Sequence, residues 1–403
     1  MLGTIALMPR TTVVVLSRLP LPRRVEYALG LAQLRAAPGQ AMVSLASVVA
    51  AVSLATSVAI MVISFRTSLE DWLAHIQPGD MFVRTSGHGE TAYLSPPMQQ
   101  LVSRIPGVRG VEFFAGQRIR LESSRPPVTL LARDIDPRDP GRVLSLVSDV
   151  VTPQAGQVPA WISEITADNY GYTLGEVVEL PIGGQRVPVM IAGVWRDYAR
   201  MNGAVMIGLE DYRKLTGNHD VADAQLWLEE AADVDAVRRA LLAALPSDVV
   251  EISLPNELRT ESLTVFDRTF AVTYALEGVA IVIGLAGLSA SFSALTLARR
   301  REFGMLRHVG FLRAQIVRML AFEGALVSAL GLIVGLLLGW VMSVVLIDVV
   351  NRQSFHWSMD VHLPWAGLGV FALIMLAAAM LAAVSSARRA VAGEAVRAVR
   401  EDW

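Results

Sequence analysis

The chain reads as an α-helical membrane protein with four transmembrane helices and a large α+β extracytoplasmic domain between the first and second spans. Two observations predict this. Uncharged apolar runs occur at 41–65, 278–298, 324–347 and 363–387, and a helix rising about 1.5 Å per residue needs about 20 such residues to cross a hydrocarbon core of about 30 Å. The arginines then cluster on alternate flanks. Arg10, Arg18, Arg23, Arg24 and Arg35 precede the first run, Arg299, Arg300, Arg301, Arg307, Arg313 and Arg318 lie between the second and third, and Arg388, Arg389, Arg397 and Arg400 follow the fourth. Cytoplasmic flanks are the ones enriched in Lys and Arg, so both termini read as cytosolic and the intervening domain as lying outside.

Residues 1–40 are expected to form a cytosolic N-terminal segment with an amphipathic surface helix. Its first part, Met1 to Leu16, is apolar but broken by Pro9 and Arg10. It lacks a basic start and a small-residue cleavage pattern, so it reads as a truncated or interfacial helix instead of a removable signal peptide. From Arg23 to Ala37, the residues Val25, Ala28, Leu29, Ala32 and Leu34 recur at helical spacing against Arg23, Arg24, Glu26, Gln33 and Arg35. That pattern suits a helix lying on the inner membrane surface. Pro38-Gly39 ends it, and the first span occupies 41–65.

The extracytoplasmic domain, 66–265, carries turn signals between short segments of both types, which favours α+β. Ser95-Pro96-Pro97 opens a short helix, 111–121 reads as extended, and a helix at 163–170 is closed by Gly171. Strands are expected at 187–194 and 204–207, then strand, helix and strand at 224–228, 234–245 and 249–252. The second span with its outer stalk follows at 266–298, a cytosolic segment at 299–318 and the third span at 319–347. An outer loop at 348–362, the fourth span at 363–387 and a cytosolic tail at 388–403 complete the order.

A net charge of −2 conceals a strong asymmetry: residues 66–265 hold 18 Lys+Arg against 27 Asp+Glu, and the remainder is correspondingly basic. Nucleic acid is not a partner this pattern suits, because the arginines are divided among span ends. With no cysteine, disulfides and thiolate metal sites are excluded. The single lysine, Lys214, follows Asp211-Tyr212-Arg213 instead of a glycine-rich loop, so no phosphate cradle exists. The six histidines contain no H-E-x-x-H pair, and Gly287-Leu288-Ser289-Ala290-Ser291 fails the G-x-S-x-G pattern at its last position. No catalytic residue and no metal ligand can be named.

Glu277 and Glu323 stand near the membrane, where a carboxylate at the centre of a span costs roughly 2.5 to 3.5 kcal/mol. Glu277 precedes Ala298 by about 32 Å of helix, and Glu323 follows Arg318 closely. Both are therefore read as interfacial, paired acids instead of proton relays. Gly331, Gly335 and Gly339 line one face of the third span and allow a close helix approach, either within the subunit or to a second copy. Ser47, Ala51 and Ala55 have the same spacing, which leaves the seam open. Trp340, Trp357 and Trp365 read as interfacial aromatic anchors.

The run Arg299-Arg300-Arg301-Glu302-Phe303-Gly304-Met305-Leu306-Arg307-His308-Val309-Gly310 continues through Arg313, Gln315-Ile316, Arg318, Glu323-Gly324 and Gly331. It resembles the signature of FtsX/MacB-type ABC transporter permeases, in which a basic, amphipathic E-[FI]-G-x-L-R-x-x-G segment separates the second and third spans. The span order and the helix ending Arg35-Ala36-Ala37-Pro38-Gly39 are similar too. Ile162-Ser163-Glu164 with Gly171 to Gly175 resembles the periplasmic domain of these permeases. Phe65-Arg66, Leu69, Trp72, Val194-Trp195-Arg196-Asp197-Tyr198, Gly203-Ala204-Val205-Met206 and Asp211-Tyr212-Arg213 resemble the C-terminal half of ten-span members. The tail Arg388 to Arg397 departs from the family's closing P-x-E-A-[LV]-R by lacking its proline.

The resemblance implies a multi-pass protein of the bacterial inner (cytoplasmic) membrane that pairs with a second permease unit, either its own copy or a separate first half. It implies a separate ABC ATPase subunit docked on Arg301, Glu302, Phe303, Gly304, Leu306, Arg307, Val309 and Gly310. Phe303, Leu306 and Val309 share a face and are expected to form the ridge that enters a groove. This chain would bind no cofactor, ATP and Mg being used by the partner. The implied function is to couple ATP hydrolysis to movement of the extracytoplasmic domain, for export or extraction of a lipid, lipoprotein or other amphiphile. The alternative is a non-transporting signal transducer that regulates a cell-wall hydrolase or sensor kinase.

Overall fold

The computed structural model describes residues 14, 16–36, 38–85, 93–246 and 250–391; the expectations for 1–13 and for the tail beyond 391 fall outside them. These residues form two compact units, one made of Phe65–Arg268 with Asp348–Asp360 and one made of the rest.

The second unit is helical, and among the described residues four helices are long and apolar enough to cross a membrane. The first long helix, Pro38–Ile76, runs on past the apolar segment expected at 41–65. Backbone hydrogen bonding does not stop where lipid would, and no breaker intervenes before Pro78. The next, Pro255–Ala298, starts on a proline, whose missing N–H is harmless in a first turn. Arg313–Val345 and Trp365–Val391 supply the third and fourth. A core of Val48, Val52, Leu288, Phe292, Leu332, Met375, Ala379 and Ala383 joins all four spans.

The described residues of the sheet unit form nine strands: β1 Met81–Thr85, β2 Val108–Ile119, β3 Val128–Arg133, β4 Val158–Ser163, β5 Val177–Ile182, β6 Gln185–Trp195, β7 Ala204–Gly208, β8 Asp223–Leu228 and β9 Val250–Ser253. Their spatial order is β5-β6-β4-β7-β3-β2-β8-β1-β9. β3 pairs with β7 and β4 with β6 in parallel, while the other pairs are antiparallel. One face buries Val83, Leu130, Ile162, Ile191, Ile207 and Leu226 together with Val102, Tyr212 and Leu241 from the helices Pro96–Ser103, Leu209–Thr216 and Val234–Ala244. The helix Glu164–Tyr170 is opened by the Ser163 hydroxyl accepting from Thr166 N and closed by Gly171 at φ 68°, which only glycine adopts without strain.

The strand, helix and strand expected at 224–252 form as β8, Val234–Ala244 and β9, with β1 lying between the two strands. One feature departs from the sequence reading. The outer loop is partly helical, with a π turn at Leu346–Asn351 and a short helix Arg352–Phe355 that His356 ends at φ 56°. The loop residues Asp348–Asp360 belong to the sheet unit.

Candidate functional site

The segment expected to be cytosolic folds as a helix, Arg300–His308, followed by a turn at Gly310 with φ +103°. The next helix is opened by Leu312, whose N–H donates to Gln315 Oε1 at 2.9 Å. Arg299, just ahead of the helix, organises the segment's polar contacts. Its Nη1 donates to Glu323 Oε2 at 2.7 Å and its Nη2 to Glu323 Oε1 at 3.4 Å. Its Nε donates to Glu302 Oε2 at 3.1 Å, and Gln33 Nε2 donates to that same oxygen at 3.1 Å. The guanidinium also lies 5.4 Å from the Phe303 ring centre. One arginine thus ties the segment to the third span and, through Glu302, to the surface helix Val25–Ala36. Glu323 is only 5% exposed, and a carboxylate so buried is tolerable only when paired and hydrogen-bonded.

The expected ridge is corrected by burial. Phe303, at 2% exposure, packs inward with Ile316, Met319, Leu320 and Ala387, while Leu306 is half-buried beside it. Apolar burial within the subunit competes for the same side chains that docking would use, and here it wins. The exposed apolar residues are Met305 and Val309, at 70% and 81%, with Leu312 beyond them. Arg301, Glu302 and Gly310 are exposed, Arg307 is half-buried and Gly304 is buried.

The surface helix also differs from its expected face. Leu34 of that face is buried, but Val25 and Ala32 point outward, and Glu26, Gly30 and Leu31 are buried in their place. Gly30 explains this, because a Cβ there would stand 3.1 Å from Glu323 Cγ and 3.4 Å from Met319 Cγ. Tyr27 meets Phe322 at 5.1 Å between ring centres. The helix is therefore packed on the third span.

Gly331, Gly335 and Gly339 receive the first span. A Cβ on them would lie 2.9 Å from Val48, 2.8 Å from Val52 and 2.6 Å from Thr56, respectively. The neighbouring face of the first span, Ser47 and Ala51, meets Gly287 and Gly284 of the second. Both small-residue faces are thus occupied within the subunit, as close backbone approach permits. Glu277 is half-exposed and has no ion-pair partner among the described residues, so its paired reading is not what the structure shows.

In the sheet unit, the residues around Arg196 form a clamp on the outer loop. Arg196 Nη1 donates to Asp360 Oδ2 at 2.8 Å and Nη2 to Ser358 Oγ at 3.1 Å. Tyr198 donates its hydroxyl to Ser358 O at 2.9 Å, and Ser358 N donates to Glu164 Oε2 at 2.9 Å. Burial pushes the Tyr198 phenol up to about 12, so it remains a donor. Burial, the largest single influence, disfavours the Arg196 charge, but the Asp360 hydrogen bond together with the charges of Tyr198, Asp360 and Glu164 holds the group above its ordinary value. Trp357 is buried with Trp72, Leu73, Ile165 and Tyr198. It is therefore an internal anchor and not the membrane-interface tryptophan expected, whereas Trp340 and Trp365 are exposed. A cavity of about 900 Å³ beside the clamp is lined by Asp71, His75, Glu164, Asp168, Arg196 and Arg352.

The sequence reading missed Arg299 and Arg196 as organising residues. Both stood inside quoted motifs, but their partners lie 24 and 164 residues away. A two-residue Gly183-Gly184 turn between β5 and β6, both at positive φ, was a legible hairpin signal.

Residues 275–395 match the sequence profile described as FtsX-like permease C-terminal, and the chain carries that region. An uncharacterized ABC transporter permease protein of Mycobacterium tuberculosis is 27% identical over 373 residues, covering 89% of this chain and 43% of the relative. The chain thus spans less than half the length of that relative. Among solved structures, the extracellular domain of the noncanonic ABC-type transporter YknZ from Gram-positive bacteria has 17% identity and a TM-score of 0.32, covering 43% of this chain and 98% of that one. The periplasmic region of MacB from Actinobacillus actinomycetemcomitans has 12% identity and a TM-score of 0.35, covering 47% and 94%.

Proposed function

We propose that this multi-pass membrane protein, with its FtsX-like region at 275–395, is the permease subunit of an ABC transporter of the FtsX/MacB type. The segment at 299–310 receives the movement of a separate ATPase subunit. The observation that carries this reading is the Arg299 cluster, which fixes a short basic helix to the third span while leaving Met305 and Val309 exposed. A force applied to that apolar pair reaches the third span through a buried ion pair instead of through a loose loop. ATP and Mg are used by the partner, since this chain offers no phosphate loop. The sheet unit lies on the extracytoplasmic side of a bacterial inner membrane. A second permease unit, its own copy or a separate first half, completes the assembly; the much longer relative supports this.

The cargo is an amphiphile such as a lipid or lipoprotein. The charged lining of the 900 Å³ cavity suits its polar portion better than an acyl chain.

The test is Val309→Asp. At 81% exposure the change leaves packing alone, but an unpaired charge in an apolar interface costs several kcal/mol, roughly a thousandfold in affinity. The ABC ATPase that co-purifies with the wild-type chain should be lost, while Arg352→Ala retains it. Retention of the ATPase at wild-type stoichiometry in Val309→Asp, or no ATPase with the wild type, would overturn the reading in favour of the signal transducer.

A further inference from the structure

The cavity of about 900 Å³ beside the Arg196 clamp holds more acid than the fold itself pairs. On its wall Arg196 and Asp360 answer one another at 2.8 Å. Asp71, Glu164 and Asp168 then stand against Arg352, three carboxylates against one arginine. Asp168 lies 3.6 Å from His356 Nδ1, which adds a positive charge only when protonated. With its histidines neutral, the lining is therefore negative.

Glu164 shows where this charge is directed. The residue is 7% exposed, and a buried carboxylate is costly unless its oxygens are answered. Oε2 accepts from Ser358 N at 2.9 Å. Oε1 accepts no hydrogen bond among the described residues, yet it is not sealed within the protein. Since Glu164 lines the cavity, that free oxygen opens into it. Buried acceptors nearly always have a donor, so this one marks a place for a ligand's N–H or O–H.

Spacing and hydrogen bonding decide which cation fits. Among the described residues no three His, Asp or Glu side chains come together as a metal site, whereas a calcium or magnesium ion needs about six oxygens gathered around it. Separated carboxylates around a large cavity suit an organic cation instead. A quaternary ammonium has no N–H to give Oε1, but a primary ammonium has three.

We propose that this cavity takes a primary ammonium headgroup carried by the amphiphilic cargo. An ammonium N–H donates to Glu164 Oε1, and Asp71 and Asp168 balance the remaining field. This rests on the permease reading for the occupant's being cargo, while its charge follows from the cavity wall.

Hexylammonium is the probe, titrated calorimetrically into the full chain in phosphatidylcholine nanodiscs, with empty nanodiscs as the blank. Saturable binding is expected. Hexanol, hexanoate and hexyltrimethylammonium should each bind at least about tenfold more weakly, because none brings both a positive charge and an N–H to Oε1. Glu164→Gln keeps an acceptor for Ser358 N but removes the charge, and should weaken hexylammonium at least about tenfold with amide exchange at Ser358 unchanged. Should that variant release the loop or fail to fold, Asp71→Asn carries the reading: its side chain is exposed, and loss of its charge should weaken binding at least about twofold. Unsaturable binding, binding no tighter than that of hexanol or hexyltrimethylammonium, or binding unchanged in Asp71→Asn or in a folded Glu164→Gln would overturn the proposal. No ATPase enters these measurements, so a chain that retains its ATPase but ignores hexylammonium loses this proposal alone.

Discussion

Arg196 and Asp360, 164 residues apart, are joined by two hydrogen bonds, Nη1 to Oδ2 at 2.8 Å and Nη2 to Oδ1 at 3.4 Å. Asp360 is largely exposed, its side chain at 69%, so the pair alone contributes about 1 kcal/mol or less. Its importance is positional, because the same guanidinium holds Ser358 and the loop that carries Trp357. Arg196→Ala should therefore speed amide hydrogen exchange at Ser358 and Asp360 while leaving β6 protected. Unchanged exchange in the loop would show that Trp357 alone anchors it.

Trp357→Ala tests that division directly. Removing a tryptophan buried against Trp72 and Tyr198 costs about 3–5 kcal/mol. Chemical unfolding of the sheet unit should register it, and a loss below 1 kcal/mol would mean that the loop merely rests on the surface.

The Arg299–Glu323 pair behaves differently because it is buried, at 14% and 7% side-chain exposure. Arg299→Ala strands a carboxylate and should cost about 3–5 kcal/mol, whereas Arg299→Met with Glu323→Leu should recover most of it. Thermal unfolding in detergent reads both. If the single and double variants were equally unstable, the contribution would come from packing.

Gly335→Val should force the first and third spans apart, because even a Cβ there stands 2.8 Å from Val52; overpacking of this kind costs about 1–3 kcal/mol. Gly369→Ala in the fourth span has nothing within 4 Å and should be neutral. Thermal unfolding in detergent reads both, and a wild-type midpoint for Gly335→Val would show that the close approach of the two spans contributes nothing.

Stability should also fall with rising pH through Asp223. Burial is the main influence and raises its pKa above 3.8, with Arg84 and Arg200 opposing. A carboxyl raised in the fold stabilises the folded state in its protonated form, so that contribution is complete below about 3.8 and is lost as pH rises through the folded value. Asp223→Asn should flatten this part of the pH profile of unfolding, and an unchanged profile would assign it to another group.

The amino-acid order alone determined the membrane architecture. Apolar run length has to match a bilayer, so the spans are readable without any contact being known, and arginine placement adds an expectation of which flank is cytosolic. Local chemistry was equally legible where it was self-contained, as at the Ser163 cap and Gly171. Tertiary structure decided the rest. Phe303, Leu306 and Val309 share a helical period, yet only burial separates the inward Phe303 from the exposed Val309. The glycine face at 331–339 could have met a second copy, but Val48, Val52 and Thr56 fill it first. Arg196 and Asp360 are brought together by strand order and loop docking. Such meetings depend on long-range packing, which periodicity within a few turns of chain does not encode.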